Sequence, residues 1–353
     1  MTNAAGRSAV APLIFATLTA RMLGGLSLDL PDALNAVWMC PLAGLILFLP
    51  FGFAVRLLER MGNDSPLENL RRRAPSAALT GCMLLFALLL LWDAASMLRL
   101  TAISCNVVSL SNVSLPLLIL PLAVAVLIVA RMGVEAIGNS ARIWTLFLPI
   151  PMLFVALIQL GSYNPRWLSP VLGPGPAEIL SGGVYCAGCM ALLSLPWMIA
   201  VPDRCSRSLT RYMALAAVAS SIILLLLQML CPAQIDGGLT RIARVELLLS
   251  NGRMRLSPQM ATNLLWFGSM LYLTGAESAS AVSFLRRALP GPPRWLWVAL
   301  AAACALVLPI FNPAWLRAYP SRAGLMFVIS GSALALLMLL SLPAKGGARN
   351  ARA

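Results

Sequence analysis

Long apolar runs, separated by short polar segments rich in arginine, recur along the whole chain. A membrane-spanning helix takes about 20 apolar residues. Runs that meet this length fall at about 9–26, 34–58, 76–106, 115–131, 140–160, 182–201, 209–231, 258–285, 294–311 and 321–342. The pattern therefore predicts ten spans. The third, fifth and eighth are long enough to tilt or to project from the bilayer. Between the fifth and sixth lies a proline- and glycine-rich hinge, GSYNPRWLSPVLGPGPAEILSGG, followed by VYCAGCMALLSLP, an apolar run with glycines where leucines are usual.

Glycine at such places matters because main chain inside hydrocarbon must satisfy its own hydrogen bonds. A broken helix is tolerated only where protein or a cavity covers the break. Transporter folds hold substrate at such breaks, between repeats that enter the membrane from opposite sides. Interruptions are expected at Gly24-Gly25 in the first span and at Gly182, Gly183 and Gly188 in the sixth. Ten spans with breaks in the first and sixth suggest two five-helix repeats of inverted topology, about 9–160 and about 182–342, within one polytopic domain spanning 1–353. The halves share no clear sequence identity, so the repeat is read from position alone.

Composition agrees with the hydropathy pattern. Hydrophobic residues make up 60% of the 353 and charged residues only 11%, with mean hydropathy +0.86, whereas a soluble domain carries roughly 25% charged residues. The net charge of +14 is expected to face anionic lipid, not nucleic acid, because basic residues collect in cytoplasmic loops. With the N-terminus inside, seventeen of the 26 Lys and Arg fall in inner segments, seven in outer segments and two, Arg21 and Arg99, within spans. Both termini are therefore expected in the cytoplasm. Histidine is absent, which removes His-ligated metal and His-based acid–base chemistry. The eight cysteines lie mostly within apolar runs and suggest no disulfide framework. No metal or cofactor is expected. The long outer loop, about 232–257, contains TRIARVELLLS, whose spacing fits an amphipathic helix on the membrane surface or over the mouth of the bundle.

Ionisable residues at bilayer depth are the candidate chemistry. Asp93 sits in LLLLWDAASML and Glu277 in YLTGAESASAVSF. Each is expected to face a cavity or partner, either binding a cation, proton or amine, or acting as polar glue between helices. Arg21, beside the first break, could pair with Asp93 or Glu277, or bind a substrate carboxylate. Amides freed at the breaks suit a carboxylate and freed carbonyls suit an ammonium. Cys186-Ala-Gly-Cys189 has the spacing of a redox or zinc motif, but without a second pair or a histidine it reads as small residues at a break. Glu135 and Arg142 read as a structural cluster. No nucleotide-binding or nucleophile motif appears, and the chain is not expected to be an enzyme.

Several segments resemble the B-subunit permeases of GerA-type spore germinant receptors, members of the amino acid/polyamine/organocation superfamily. VARMGVEAIGNSAR (Val129–Arg142) is similar to that family's "rkGlEvigR" signature, and NPRWLSPVLGPG (Asn164–Gly175) to its following loop. SLPWM around Pro196, and Met97–Arg99 with the following LSNVSLP, extend the likeness. The first span differs, reading ARMLGGLSLDLP, and Cys189 follows Gly188 where the family has glutamate. The resemblance implies a LeuT-like, ten-helix membrane fold in a spore inner membrane or cell membrane. It also implies sensing of a small nutrient such as an amino acid, together with A-type and C-type subunits. The residues leave open an autonomous amino acid or amine symporter coupled to H⁺ or Na⁺, and a non-transporting scaffold. Ligand-binding candidates are Arg21, Gly24, Gly25, Asp93, Gly182, Gly183, Gly188, Cys189 and Glu277.

Overall fold

The computed structural model describes residues 10–22, 36–59, 66–108, 113–147, 150, 153, 165–169, 173, 175–199, 206–230, 258–311 and 329. Among them every regular element is helical. The helices are α1 (Val10–Ala20), α2 (Ala36–Glu59), α3 (Pro66–Arg73), α4 (Ser76–Val108), α5 (Leu115–Met132), α6 (Val134–Phe147), α7 (Pro176–Ser194), α8 (Ser206–Leu230), α9 (Pro258–Ala288) and α10 (Arg294–Phe311). Apart from α3, they follow the first nine expected spans in order. The loop at 232–257 lies outside the described residues, and so does the tenth span except for Ile329.

Which helix touches which is legible in the packing. Helices α1, α2, α7 and α8 form one group through α2–α7, α2–α8 and α1–α8 contacts. Helices α4, α5, α9 and α10 form a second group through α4–α9, α5–α9, α4–α10 and α5–α10 contacts. Exchanging α1 with α7, α2 with α8, α4 with α9 and α5 with α10 turns this set of contacts into itself. The α2–α7 contact becomes α8–α1, and α9–α5 becomes α4–α10. The weaker α1–α9 and α7–α4 contacts exchange in the same way. This is the architecture of a LeuT-like inverted repeat.

Lipid exerts no hydrophobic drive between helices, so close approach rests on small residues and dispersion. At the α2–α7 crossing, a Cβ added to Gly183 would lie 2.6 Å from Ala43 Cβ, and one on Gly44 would lie 2.5 Å from Cys186 Cβ. At the α5–α9 crossing, a Cβ on Gly275 would lie 2.4 Å from Val129 Cγ1. Helix α5 shows the complementary outer surface. Leu117, Leu120, Val124 and Ile128 are exposed on one side, while Leu118, Ile119, Ala123, Val126 and Ala130 are buried on the other. An apolar exposed face is what a helix at the bundle periphery turns to lipid.

Two local features depart from the expected spans. The fifth helix begins at Val134 instead of near 140, because Gly133, with φ of 88°, turns the chain within a single residue after α5. Left-handed backbone of this kind favours glycine. Helix α3 was not expected at all, since PLENLRRR is too short and too charged to span. Pro66 starts it, and Leu67 and Leu70 bury one face. Pro is well suited to the first helical turn, and i, i+3 spacing puts both leucines on one side.

Substituting Gly275 by Ala should lower the apparent melting point of detergent-solubilised protein, with overpacking costing about 1–3 kcal/mol. Adding Val129→Ala should restore most of it. Gly81 of α4 meets nothing within 4 Å of its would-be Cβ. Gly81→Ala should therefore hold or raise stability, by up to about 1 kcal/mol, in the same thermal assay.

Candidate functional site

The site is built where two helices leave regular α winding. Helix α1 ends at Ala20, and Arg21 and Met22 continue in a wider π turn. Such a turn breaks the i, i+4 ladder and re-aims a side chain, and π turns are frequent at functional sites. Gly24 and Gly25, just beyond, lie outside the described residues. Helix α7 runs to Ser194 and then tightens into a 3-10 turn over Leu195–Ile199. The Leu195 amide bonds the Leu192 carbonyl. Pro196 has no amide to continue the α ladder.

The departure in the sixth span is thus displaced from the glycines expected to cause it. Gly182, Gly183 and Gly188 all sit inside continuous α7 and are buried. The physical reason is packing. Gly183 admits α2 at a distance no side chain would allow, and a helix held on its flank by such a contact has no cause to unwind there. Cys189 is also buried within α7. Cys186 and Cys189 are thiols not joined to each other in a disulfide. Among the described residues no group of His, Cys, Asp or Glu has the arrangement to hold a metal ion.

Arg21, Asp93 and Glu277 are brought together from α1, α4 and α9. All three are buried, at 0%, 1% and 2% exposure. Arg21 Nη2 lies 3.3 Å from Asp93 Oδ1 and donates a hydrogen bond to the Tyr185 hydroxyl at 2.8 Å. Its Nη1 faces the Met97 sulfur, and the guanidinium carbon stands 5.9 Å from the centre of the Tyr185 ring. Of the partners considered for Arg21, the structure shows Asp93. A buried cation survives only when paired and hydrogen-bonded, and α4 and α7 supply both conditions.

Glu277 stands beside this pair, with Asp93 and Arg21 acting on it electrostatically. Neither of its carboxylate oxygens meets a neutral or cationic donor, and the Asp93 carboxyl lies within side-chain hydrogen-bonding reach of it. It opens on a cavity of about 10 Å³ walled by Thr17, Leu90, Leu193, Pro196 and Ser280 among others. That is room for a single water molecule and none for a solute the size of an amino acid. The hydroxyls nearby bond their own helices. Thr17 Oγ1 donates to Leu13 O at 2.8 Å, and Ser280 Oγ donates to Ala276 O at 2.7 Å.

Tyr185 and Met97 were not singled out from sequence, although they complete the shell of Arg21. A usable signal existed for Tyr185. It is the one aromatic residue in a small-residue stretch, GGVYCAGC, of a span thought to pack against the first.

Among solved structures, Mhp1, a nucleobase-cation-symport-1 family transporter in a closed conformation with bromovinylhydantoin bound, is similar with a TM-score of 0.66 at 12% identity, covering 93% of this chain and 77% of that one. A Na⁺-coupled sialic acid symporter in a substrate-bound outward-open state is similar with a TM-score of 0.59 at 13% identity, covering 96% of this chain and 78% of the other. A mutant of the Eremococcus coleocola manganese transporter gives 0.53 at 16% identity, with 96% and 77% coverage. At these identities the likeness is one of fold, and these neighbours are LeuT-fold transporters. No curated protein matches the chain. The family model described as "Spore germination protein" matches residues 14–244. A permease-like integral membrane protein, the chain belongs to the spore permease family of spore germination proteins.

Proposed function

We propose that this chain is the permease-like, B-type subunit of a nutrient germinant receptor, holding a small amino acid where α1 and α7 leave α winding. Both termini lie in the cytoplasm, and A-type and C-type subunits act with it at the spore inner membrane. The observation that carries the reading is the Arg21 guanidinium. It is fully buried at the π turn, it meets α7 through Tyr185, and its carboxylate partner lies at 3.3 Å.

In this mechanism the Arg21–Asp93 pair is the element that yields. An amino acid's carboxylate competes with Asp93 for Arg21, while main-chain carbonyls beside the π turn and the 3-10 turn take its ammonium. Exchange of partners breaks a link between α1 and α4, which belong to the two packing groups. The ligand shifts the balance between packed and open states by its difference in affinity for them. The signal passes to the other subunits as that movement. Gly24 and Gly25 remain ligand-binding candidates in this reading.

Binding of radiolabelled amino acids to purified full-length protein in liposomes tests this. Arg21→Gln should weaken binding at least about tenfold, equivalent to roughly 1.4 kcal/mol. Asp93→Asn, which removes the competitor, should bind no more weakly than wild type. A folded Arg21→Gln protein that binds as well as wild type would sink the proposal. Co-purification from spore membranes of subunits of the A and C types tests the receptor assembly separately.

A further inference from the structure

Glu277 is the surplus acid of the buried cluster. The described charged groups that act on it are Asp93 from α4 and Arg21 at the end of α1. One guanidinium therefore stands against two carboxyls. An ionised carboxylate at 2% exposure with no neutral or cationic donor costs several kcal/mol in desolvation, and neutralisation is the ordinary escape.

The cavity says what neutralises it. Thr17 and Ser280 have given their only hydroxyl protons to carbonyls of their own helices, so toward the cavity they offer lone pairs alone. Acceptors of that kind serve a group that donates, and exclude an anion. A hard metal ion wants about six oxygens around it, whereas here three side chains offer oxygen and the remaining walls are aliphatic. A protonated carboxyl needs one acceptor and one water-sized space through which the proton arrives.

We propose that Glu277 is an exchangeable proton site, charged and discharged through the small cavity between α1, α4, α7 and α9. The proton comes from water onto a Glu277 carboxylate oxygen and leaves to water by the same route. Neutral Glu277 accompanies the Arg21–Asp93 pair in the packed state. Its ionisation leaves two carboxylates around one guanidinium and favours a state in which α1 or α9 has moved. The inference deepens the proposed role, since it supplies that site with a pH-dependent bias. It stands without any assumption about the nutrient.

Infrared spectroscopy of the purified full chain in liposomes, with no amino acid added, reads this directly. Wild-type protein at neutral pH should show a protonated-carboxyl band that shifts with isotope-labelled glutamate and disappears as pH is raised. Glu277→Gln should lose it. Should that variant not fold, labelled wild-type protein still carries the test. A spectrum without such a band, or a band that responds to replacing choline by sodium and not to pH, would overturn the proton assignment. Either result leaves the nutrient-binding experiment untouched, so the two proposals fail separately.

Discussion

A guanidinium with no access to water is the constraint around which this bundle is arranged. Arg21 is fully buried, and removing its last partner would leave an uncompensated charge, at a cost of about 3–5 kcal/mol. Each partner comes from a different direction. Asp93 and Met97 stand one turn apart on α4, and Tyr185 reaches across from α7. The winding of α1 yields where this cation must be aimed. Site and fold are thus coupled, because the residues that satisfy Arg21 also tie α1 to both packing groups.

Elsewhere the bundle relies on economy in polar groups. Thr17, Thr101, Ser221, Thr274 and Ser280 each bond a carbonyl of their own helix. Such back-bonding satisfies a hydroxyl without a partner helix and favours slight bending. At the closest crossings a glycine of one helix receives a side chain of the next, as Gly275 receives Val129 and Gly183 receives Ala43. Tyr272 is an exception, donating across to the Ile137 carbonyl at 2.8 Å and stacking near Trp144.

Hydropathy made the spans legible because the bilayer demands one length of every helix, and α4, α9 and α10 start at the residues the pattern indicated. It could not reveal α3, whose two buried leucines are too few for any periodicity to register. The acid and base partners at Arg21, Asp93 and Glu277 were legible because charge inside an apolar run always asks for an explanation. The glycines misled for a physical reason. A glycine that permits unwinding and one that permits close approach look the same in sequence, and only the presence of Ala43 against Gly183 tells them apart. In the sixth span the departure occurred instead at Leu195–Ile199, where Pro196 was the available sign; the π turn at Arg21–Met22 had no sign in the sequence, and Gly24 and Gly25 beyond it lie outside the described residues.

The self-mapping set of helix contacts has a thermodynamic corollary. If swapping the halves reproduces the packing, a bundle sealed toward one face of the membrane has a mirror arrangement sealed toward the other, built from the same kinds of contact. The helix arrangement is then alike in the two, and the preference between them belongs to the side chains that differ between the halves. Arg21 lies at the end of α1, and no arginine occurs in α7. The contacts of this cation with Asp93 and Tyr185 are thus one asymmetric weight, present in one half and without an equivalent arginine in the other.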